Sequence, residues 1–251
     1  MYATSGLPGV DWIVGDQYVI RTDEEVHYSE QVARLDSSYL TFQVRYAAPD
    51  VVPPPCTDSE IFTFGSLISQ YKVTPQVIDV WSKILVEAPN SRLILANRMF
   101  ASSCNKDYVL DRFVERGVSR DRVDCLPPAS HREFLKYYDQ MDIALDAFPY
   151  NGGTTTTEAI WQGVPVIAMD GDRWASRTSL TLLMSSHLQE FVASDEDDYV
   201  RLAARWATDP ESPSRLAKLR SEMRDKLAVA DVCDSDKLVD SMESLFERLM
   251  R

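Results

Sequence analysis

The chemistry of this 251-residue chain concentrates in one segment, Asp146-Ala147-Phe148-Pro149-Tyr150-Asn151-Gly152-Gly153-Thr154-Thr155-Thr156-Thr157-Glu158-Ala159-Ile160-Trp161. It joins an apolar run to a helical pattern through two glycines and four threonines. Glycine lets the backbone approach a ligand closely. A helix start carries unpaired N–H groups and the positive end of the dipole, which together form an anion site. The hydroxyls of Thr154 and Thr155 add donors, and Glu158, one turn further on, is placed to accept hydrogen bonds from a ribose diol. A diphosphate with a ribose attached fits these parts. An ordinary capped helix start is the competing explanation. Successive β-branched residues are poor helix formers, however, so propensity does not account for the threonine run. No Gly-Lys-Ser/Thr follows and the glycines are not spaced Gly-x-Gly-x-x-Gly, so this is neither a Walker loop nor the dinucleotide fingerprint.

Other candidates lie near the same segment. Lys72, after Ser69-Gln70-Tyr71, follows a strand signal and could pair with phosphates, although alone it reads as a solvated surface lysine. Ser130-His131-Arg132-Glu133-Phe134 opens another helix after a strand; Phe134 could stack on a base or simply fill the core, and His131 suits an exposed helix start. Asp170-Gly171-Asp172 has the form of a metal-binding Asp-x-Asp but reads better as a turn. The acidic run Asp195-Glu196-Asp197-Asp198 suits the start of a helix. His27 and Asp16 have no serine in a nucleophile elbow, so a hydrolase triad has no support.

The elements that must position these residues follow a regular alternation from residue 60. Ile61–Phe64 reads as a strand stopped by Gly65, and Thr74-Pro75 caps and opens a helix in which Val77, Val80, Trp81, Ile84 and Leu85 recur at helical spacing. Strands are then expected at 92–96, 122–126, 142–146 and 164–169, with helices at 107–115, 131–141 capped by Ser130, and 155–162 stopped by Gly163. After residue 174 the pattern is mostly helical, with amphipathic segments at 195–208, 212–228 and 236–249. Such alternation predicts βαβ units and a parallel sheet with right-handed crossovers, that is, an α/β Rossmann-like fold with a helical C-terminal tail. Ligands bind outside the carboxyl ends of such strands, where the glycine–threonine segment and Lys72 both fall.

Residues 1–60 differ. They hold ten acidic residues, three arginines and no lysine, and lead into Pro53-Pro54-Pro55, a run that reads as a polyproline-like linker. The expected division is a head at 1–55, the tail of something larger, and a lobe at 56–251. The net charge of −13 argues against bulk nucleic-acid binding but not against one small anion held by local donors. The apolar runs are too short for a membrane helix, and the amino terminus lacks the basic and apolar regions of a signal peptide. The four scattered cysteines form no Cys-x-x-Cys pair and the three histidines no metal-ligand pair, so a reducing cytoplasm is the expected setting and no metal is expected.

Several segments together resemble the protein O-linked N-acetylglucosamine transferases and their SPINDLY-type members, glycosyltransferase family 41. They are Phe64-Gly65-Ser66 with Tyr71-Lys72-Val73-Thr74-Pro75, Ser91-Arg92-Leu93, Phe148-Pro149-Tyr150-Asn151-Gly152 with Thr157-Glu158-Ala159, Gly163-Val164-Pro165-Val166, Gly171-Asp172-Arg173 and Ala175-Ser176-Arg177. The resemblance runs from about Tyr2 to Arg251. It implies the carboxyl-terminal lobe of a two-lobed GT-B enzyme, with inverting, metal-independent transfer from a nucleotide sugar to Ser/Thr hydroxyls of proteins. It further implies that Lys72 is the essential phosphate-contacting lysine. Thr154 and Thr155, following Gly152 and Gly153, would be the phosphate-binding threonines, and Glu158 would hold the ribose. Ala129, His131 and Phe134 would clasp the base, with Ser69 near the phosphates. Ser69, Phe134, Gly153 and Tyr137 depart from the residues usual in the family. UDP-N-acetylglucosamine is the first donor the resemblance implies and GDP-fucose the alternative. A third reading is a non-catalytic nucleotide-binding module, because the amino-terminal catalytic lobe, of which Tyr2–Trp12 looks like the end, is otherwise missing.

Overall fold

Six short runs rich in Val, Ile, Leu, Ala and Phe form the centre of the molecule. In the computed structural model, which describes residues 4–250, they pair as one parallel sheet. Met1–Ala3 and Arg251, where the family resemblance begins and ends, lie outside the described residues. The head forms a two-stranded parallel sheet from β1 (Trp12–Gly15) and β2 (Gln31–Arg34), joined through a 3₁₀ turn at Thr22–His27. There follow β3 (Phe62–Ser66), α1 (Pro75–Glu87), β4 (Ser91–Ala96), α2 (Ser103–Val114), β5 (Val123–Leu126), α3 (His131–Leu135), β6 (Ile143–Leu145), α4 (Thr154–Trp161) and β7 (Val166–Met169). The chain ends with α5 (Thr178–Ser185), β8 (Val192–Ala193), α6 (Glu196–Thr208), α7 (Ser212–Ala228) and α8 (Ser235–Leu249).

The strand order is β5-β4-β3-β6-β7-β8. The chain therefore winds outward from β3 in one direction, returns to β6 beside it, and winds outward in the other. The switch point between β3 and β6 opens a crevice at the carboxyl ends of the strands, the ligand position in doubly wound sheets. Both faces are covered by helices, so the strands read as near-continuous apolar runs. Phe64, Leu93, Ile143 and Ile167 are all inaccessible, and α1 buries Val77, Val80, Trp81, Ile84 and Leu85 along the stripe its spacing predicts. Thr74 caps α1 by accepting from the Val77 N–H, as expected from sequence.

Four local expectations change. Gly65 does not stop β3 but lies within it: an added Cβ would fall 2.0 Å from the Met141 sulfur, so glycine is there for close packing. The helix expected at 131–141 is α-helical only to Leu135 and continues as a 3₁₀ turn over Lys136–Gln140, and Ser130 stands before it without a side-chain cap. α5 and β8 do not stand out in the sequence, α5 because Thr178–Leu183 is buried throughout and so shows no polar face.

Buried charges fix both ends of β6. At its start, Asp142 accepts from the N–H groups of Cys56 (2.8 Å) and Thr63 (2.7 Å), tying the segment after the prolines to the first strand of the large sheet. Arg220 of α7 reaches in to donate to the carbonyls of Met141 (2.7 Å) and Tyr138 (2.8 Å). At the far end of the following crossover, Gly163 closes α4 in a Schellman arrangement, with Val164 N–H on Ala159 O (2.8 Å) and Gly163 N–H on Ile160 O (3.0 Å). Its φ of +76° is in the left-handed region, and a Cβ there would lie 2.6 Å from Arg220 Cγ. Gly163→Ala is therefore expected to cost about 1–3 kcal/mol of stability. Urea unfolding followed by circular dichroism checks this: a midpoint shifted down at unchanged slope is the expected outcome.

Candidate functional site

At the carboxyl end of β6 the chain makes a tight bend built around one carboxylate. Asp146, 2% exposed, accepts from the N–H groups of Ala147 (2.9 Å) and Gly152 (2.7 Å) on one oxygen and from the Ser179 hydroxyl on the other. Asn151 ties the same bend to the neighbouring chain: its N–H donates to Ala175 O (3.0 Å) and its side-chain amide to Ala147 O (3.0 Å). The bend delivers Gly153 to the start of α4. Gly152 has no room for a side chain, since a Cβ would come within 2.4 Å of Thr156 Oγ1, whereas a Cβ on Gly153 meets nothing nearer than Thr178 Cγ2 at 3.7 Å.

The four threonines divide by direction. Thr156 and Thr157 are buried; Thr156 Oγ1 lies 2.9 Å from Ser179 Oγ, and Thr157 Oγ1 donates back to Thr154 O at 2.9 Å. They hold the helix start together. Thr154 is exposed and Thr155 half-buried, and both line a cavity of about 510 Å³ with Gly152 and Gly153. The first residues of α4, whose N–H groups have no partner within the helix, thus border this cavity.

Lys72 enters the same cavity from the loop after β3. Its ammonium donates to Asn151 O at 2.5 Å and lies 4.0 Å above the centre of the Tyr150 ring. Burial holds its pKa below the usual lysine value, and the Asp146 carboxylate opposes that shift. Burial likewise pushes Asp146 up to about 6 despite its hydrogen bonds and the nearby Lys72 charge. The wall opposite these donors comes from the head, through Tyr39, Leu40, Thr41 and Phe42, together with Trp174.

A second cavity, also about 510 Å³, adjoins the first at Thr155. Ser69, Ala129, His131 and Phe134 line it, with Asn97 and Met99 from the end of β4. Glu158 is buried beneath, and its Oε1 lies 2.8 Å from His131 Nε2. The residues singled out from the sequence thus fall into two adjoining groups: Lys72, Gly152, Gly153, Thr154 and Thr155 around the first cavity, and Ser69, Ala129, His131 and Phe134 around the second, with Glu158 behind His131. Asp170 and Asp172 are engaged by arginines: Asp170 with Arg21 and Arg177, Asp172 with Arg173. The sequence reading missed Asp146 and Ser179 as organisers of the bend, and Tyr39–Phe42 as a wall. An Asp closing an apolar run six residues before a glycine was the available signal for the first.

Chemically, the first cavity presents a cation, helix-start N–H groups and two hydroxyls to one volume, which is a cradle for a polyanion such as a diphosphate. The second, with an aromatic ring and a methionine beside polar groups, suits a flat heterocycle. An anion cradle and an adjoining apolar slot at the switch point of a parallel sheet are the features of a candidate nucleotide site on a Rossmann-like sheet. Residues 57–242 match the model of glycosyl transferase family 41, and the chain belongs to that family. It is 33% identical over 249 residues to a protein of Petunia hybrida named a probable UDP-N-acetylglucosamine–peptide N-acetylglucosaminyltransferase SPINDLY, covering 99% of this chain and 26% of that protein. To a Caenorhabditis elegans UDP-N-acetylglucosamine–peptide N-acetylglucosaminyltransferase it is 26% identical, over 86% of this chain and 18% of the other. Among solved structures, an O-GlcNAc transferase mutant of Thermobaculum terrenum superposes with a TM-score of 0.87 at 28% identity, covering 97% of this chain and 46% of that one. TarM, at 12% identity and a TM-score of 0.61, shares the fold alone. The chain spans about a quarter of the length of the SPINDLY relatives it matches.

The two adjacent glycines should separate on mutation. Gly152→Ala must displace Thr156 or Asp146 and is expected to destabilise by about 1–3 kcal/mol, while Gly153→Ala stays within about 0.5 kcal/mol. Paired thermal melts of the two variants measure the difference.

Proposed function

We propose that this chain is the nucleotide-sugar-binding lobe of an enzyme that transfers N-acetylglucosamine from UDP to Ser or Thr hydroxyls of proteins. The observation that carries this reading is the convergence of Lys72 with Thr154 and Thr155 at the helix start, in one cavity at the switch point of the sheet. The donor diphosphate lies in that cradle, with its ribose toward Glu158 and its base against Phe134, His131 and Ala129. Ser69, which lines the second cavity, would meet the phosphates only where the two cavities adjoin at Thr155. Family membership and the names of its relatives support the donor and acceptor chosen.

Residues 56–251 form the donor lobe in this reading. Residues 1–55 belong with an amino-terminal lobe that contributes the acceptor surface in the longer relatives. The setting is the cytoplasm, in keeping with four cysteines that are all unpaired. Among the described residues no helix is long and apolar enough to cross a membrane.

Transfer proceeds with inversion. The acceptor hydroxyl attacks the anomeric carbon from the face opposite the diphosphate, the bond to the diphosphate oxygen breaks, and negative charge builds on the leaving group. Lys72, the first-turn N–H groups of α4, Thr154 and Thr155 meet that charge where it develops. No metal ion is needed, because these donors supply the stabilisation. Preorganised donors of this kind are each worth about 3–4 kcal/mol to the transition state.

Lys72→Ala is accordingly expected to lower transfer by about 100-fold or more in a protein carrying both lobes. In this chain the same change should weaken UDP binding by at least about tenfold. Calorimetric titration of wild type and variant with UDP, and with GDP as the competing nucleotide, tests the site and the base together. Unchanged UDP binding by the variant overturns the role of Lys72, and tighter binding of GDP than UDP overturns the choice of donor.

A further inference from the structure

We infer that Asp146 is the positioning residue of the diphosphate cradle, and that its carboxylate takes up a proton when a sugar nucleotide binds. The inference rests on the proposed placement of the diphosphate beside Lys72 and goes beyond it, because Asp146 itself does not touch the ligand.

Three observations carry it. First, Asp146 gives the bend its shape: the N–H groups of Ala147 and Gly152 converge on Oδ1, which fixes the backbone that leads directly into Gly153 and the start of α4, where Gly153, Thr154 and Thr155 line the cavity. Second, the carboxylate is buried, and Lys72, whose ammonium donates to Asn151 O in the same bend, is also the cation offered to the ligand. The other groups facing it do not replace that cation. Tyr199 of α6 donates its hydroxyl to the Asp146 carbonyl oxygen (2.9 Å), Ser179 comes from α5, and Tyr138 is held neutral by burial. A diphosphate that draws Lys72 toward itself therefore leaves two anions competing for one ammonium. In a medium of low dielectric that competition favours neutralising the buried carboxylate.

Third, the surrounding hydrogen bonds admit the protonated form without moving the bend. Oδ1 remains the acceptor of both N–H groups. The proton comes from solvent and goes to Oδ2, where the Ser179 hydroxyl now donates. Ser179 can reverse, accepting from Oδ2–H and donating instead to Thr156 Oγ1 (2.9 Å) or Gly152 O (3.3 Å). The carboxyl already titrates near neutrality, raised by burial to about 6, so a further rise falls within the accessible pH range. The sign follows. Ligand binding raises this pKa, so binding takes up protons, and affinity increases as pH falls through the interval between the free and bound values.

The test is calorimetry with UDP-N-acetylglucosamine, whose phosphate diesters do not titrate in this range, in buffers of different ionisation enthalpy. At pH 6.5 the wild-type chain is expected to take up a measurable fraction of a proton per ligand, and affinity to rise as pH falls from 8 to 6. Asp146→Asn keeps the acceptor for both N–H groups and donates to Ser179. It is expected to bind with no proton uptake attributable to this site, at pH 8 at least as tightly as wild type does. Asp146→Ala, which loses the acceptor, should bind about tenfold more weakly than wild type at pH 6 and show no proton uptake from this site, and Ser179→Ala should reduce the uptake at pH 6.5. Proton uptake that is absent in wild type, or equal in wild type and Asp146→Asn, overturns the inference even if binding is tight. Should Asp146→Asn fail to fold, the Ser179→Ala uptake decides the same question. Failure of the wild-type chain to bind the sugar nucleotide at all instead overturns the proposed function.

Discussion

The bend after β6 depends on a carboxylate that is costly to bury. A charged group taken out of water is tolerated only when hydrogen bonds and an opposite charge replace its hydration. Asp146 has both: two backbone N–H groups, the Ser179 hydroxyl, and Lys72 nearby. Each of those partners is part of the cradle or braces it. Gly152 is the residue whose N–H closes the bend, Ser179 also bears on Thr156 in α4, and Lys72 crosses from the other side of the switch point. The requirement to satisfy one buried anion thus fixes the backbone that receives another.

The sheet makes that meeting possible. Lys72 and Thr154 are far apart in sequence, yet β3 and β6 are hydrogen-bonded neighbours from which the chain departs in opposite directions. Whatever follows those two strands at their carboxyl ends must share the crevice. The register is defended by polar groups at each end of β6, Asp142 with Arg220 at the start and Asp146 with Tyr199 at the finish. A side chain at the strand end consequently has little freedom to drift, and the cradle inherits the stiffness of the sheet.

Much of this was written in the sequence in a local form. Strands covered on both faces are continuous apolar runs, α1 shows its stripe, and Gly163 marks the end of α4, so the alternation and the position of the site could be read directly. The glycine–threonine segment stood out because propensity could not explain it, and the structure divides its threonines into an outward pair and an inward pair, which composition alone cannot do. What escaped is non-local. α5 is buried on nearly every side, its Thr and Ser residues included, so its polar residues mark no solvent face. Gly65 looks like a stop unless Met141, which packs on it, is in view. Asp146 resembles any turn aspartate until Ser179, contributed by a helix invisible to periodicity, is placed beside it.

The acidic composition of the head posed an apparent conflict with an anion site, since Tyr39–Phe42 of that head form one wall of the cavity. The contacts resolve it. Glu24 pairs with the buried Arg177, Arg21 with Asp170, and Glu25 with Arg34. Asp16 is inaccessible, accepting from the Thr181 hydroxyl and from the N–H groups of Tyr18, Val19 and Tyr39. Glu24 and Asp16 thus help hold the head to the lobe, Glu25 is paired within the head, and none of the three lines the cavity. The pair to the buried Arg177 adds little net stability but does fix orientation, because a misplaced Glu24 leaves an uncompensated buried charge. Exposed charges beyond roughly a Debye length, about 8 Å at physiological ionic strength, are screened. The net charge of −13 therefore describes the outer surface, while the potential inside the cradle is set by Lys72 and by the backbone dipoles at the start of α4.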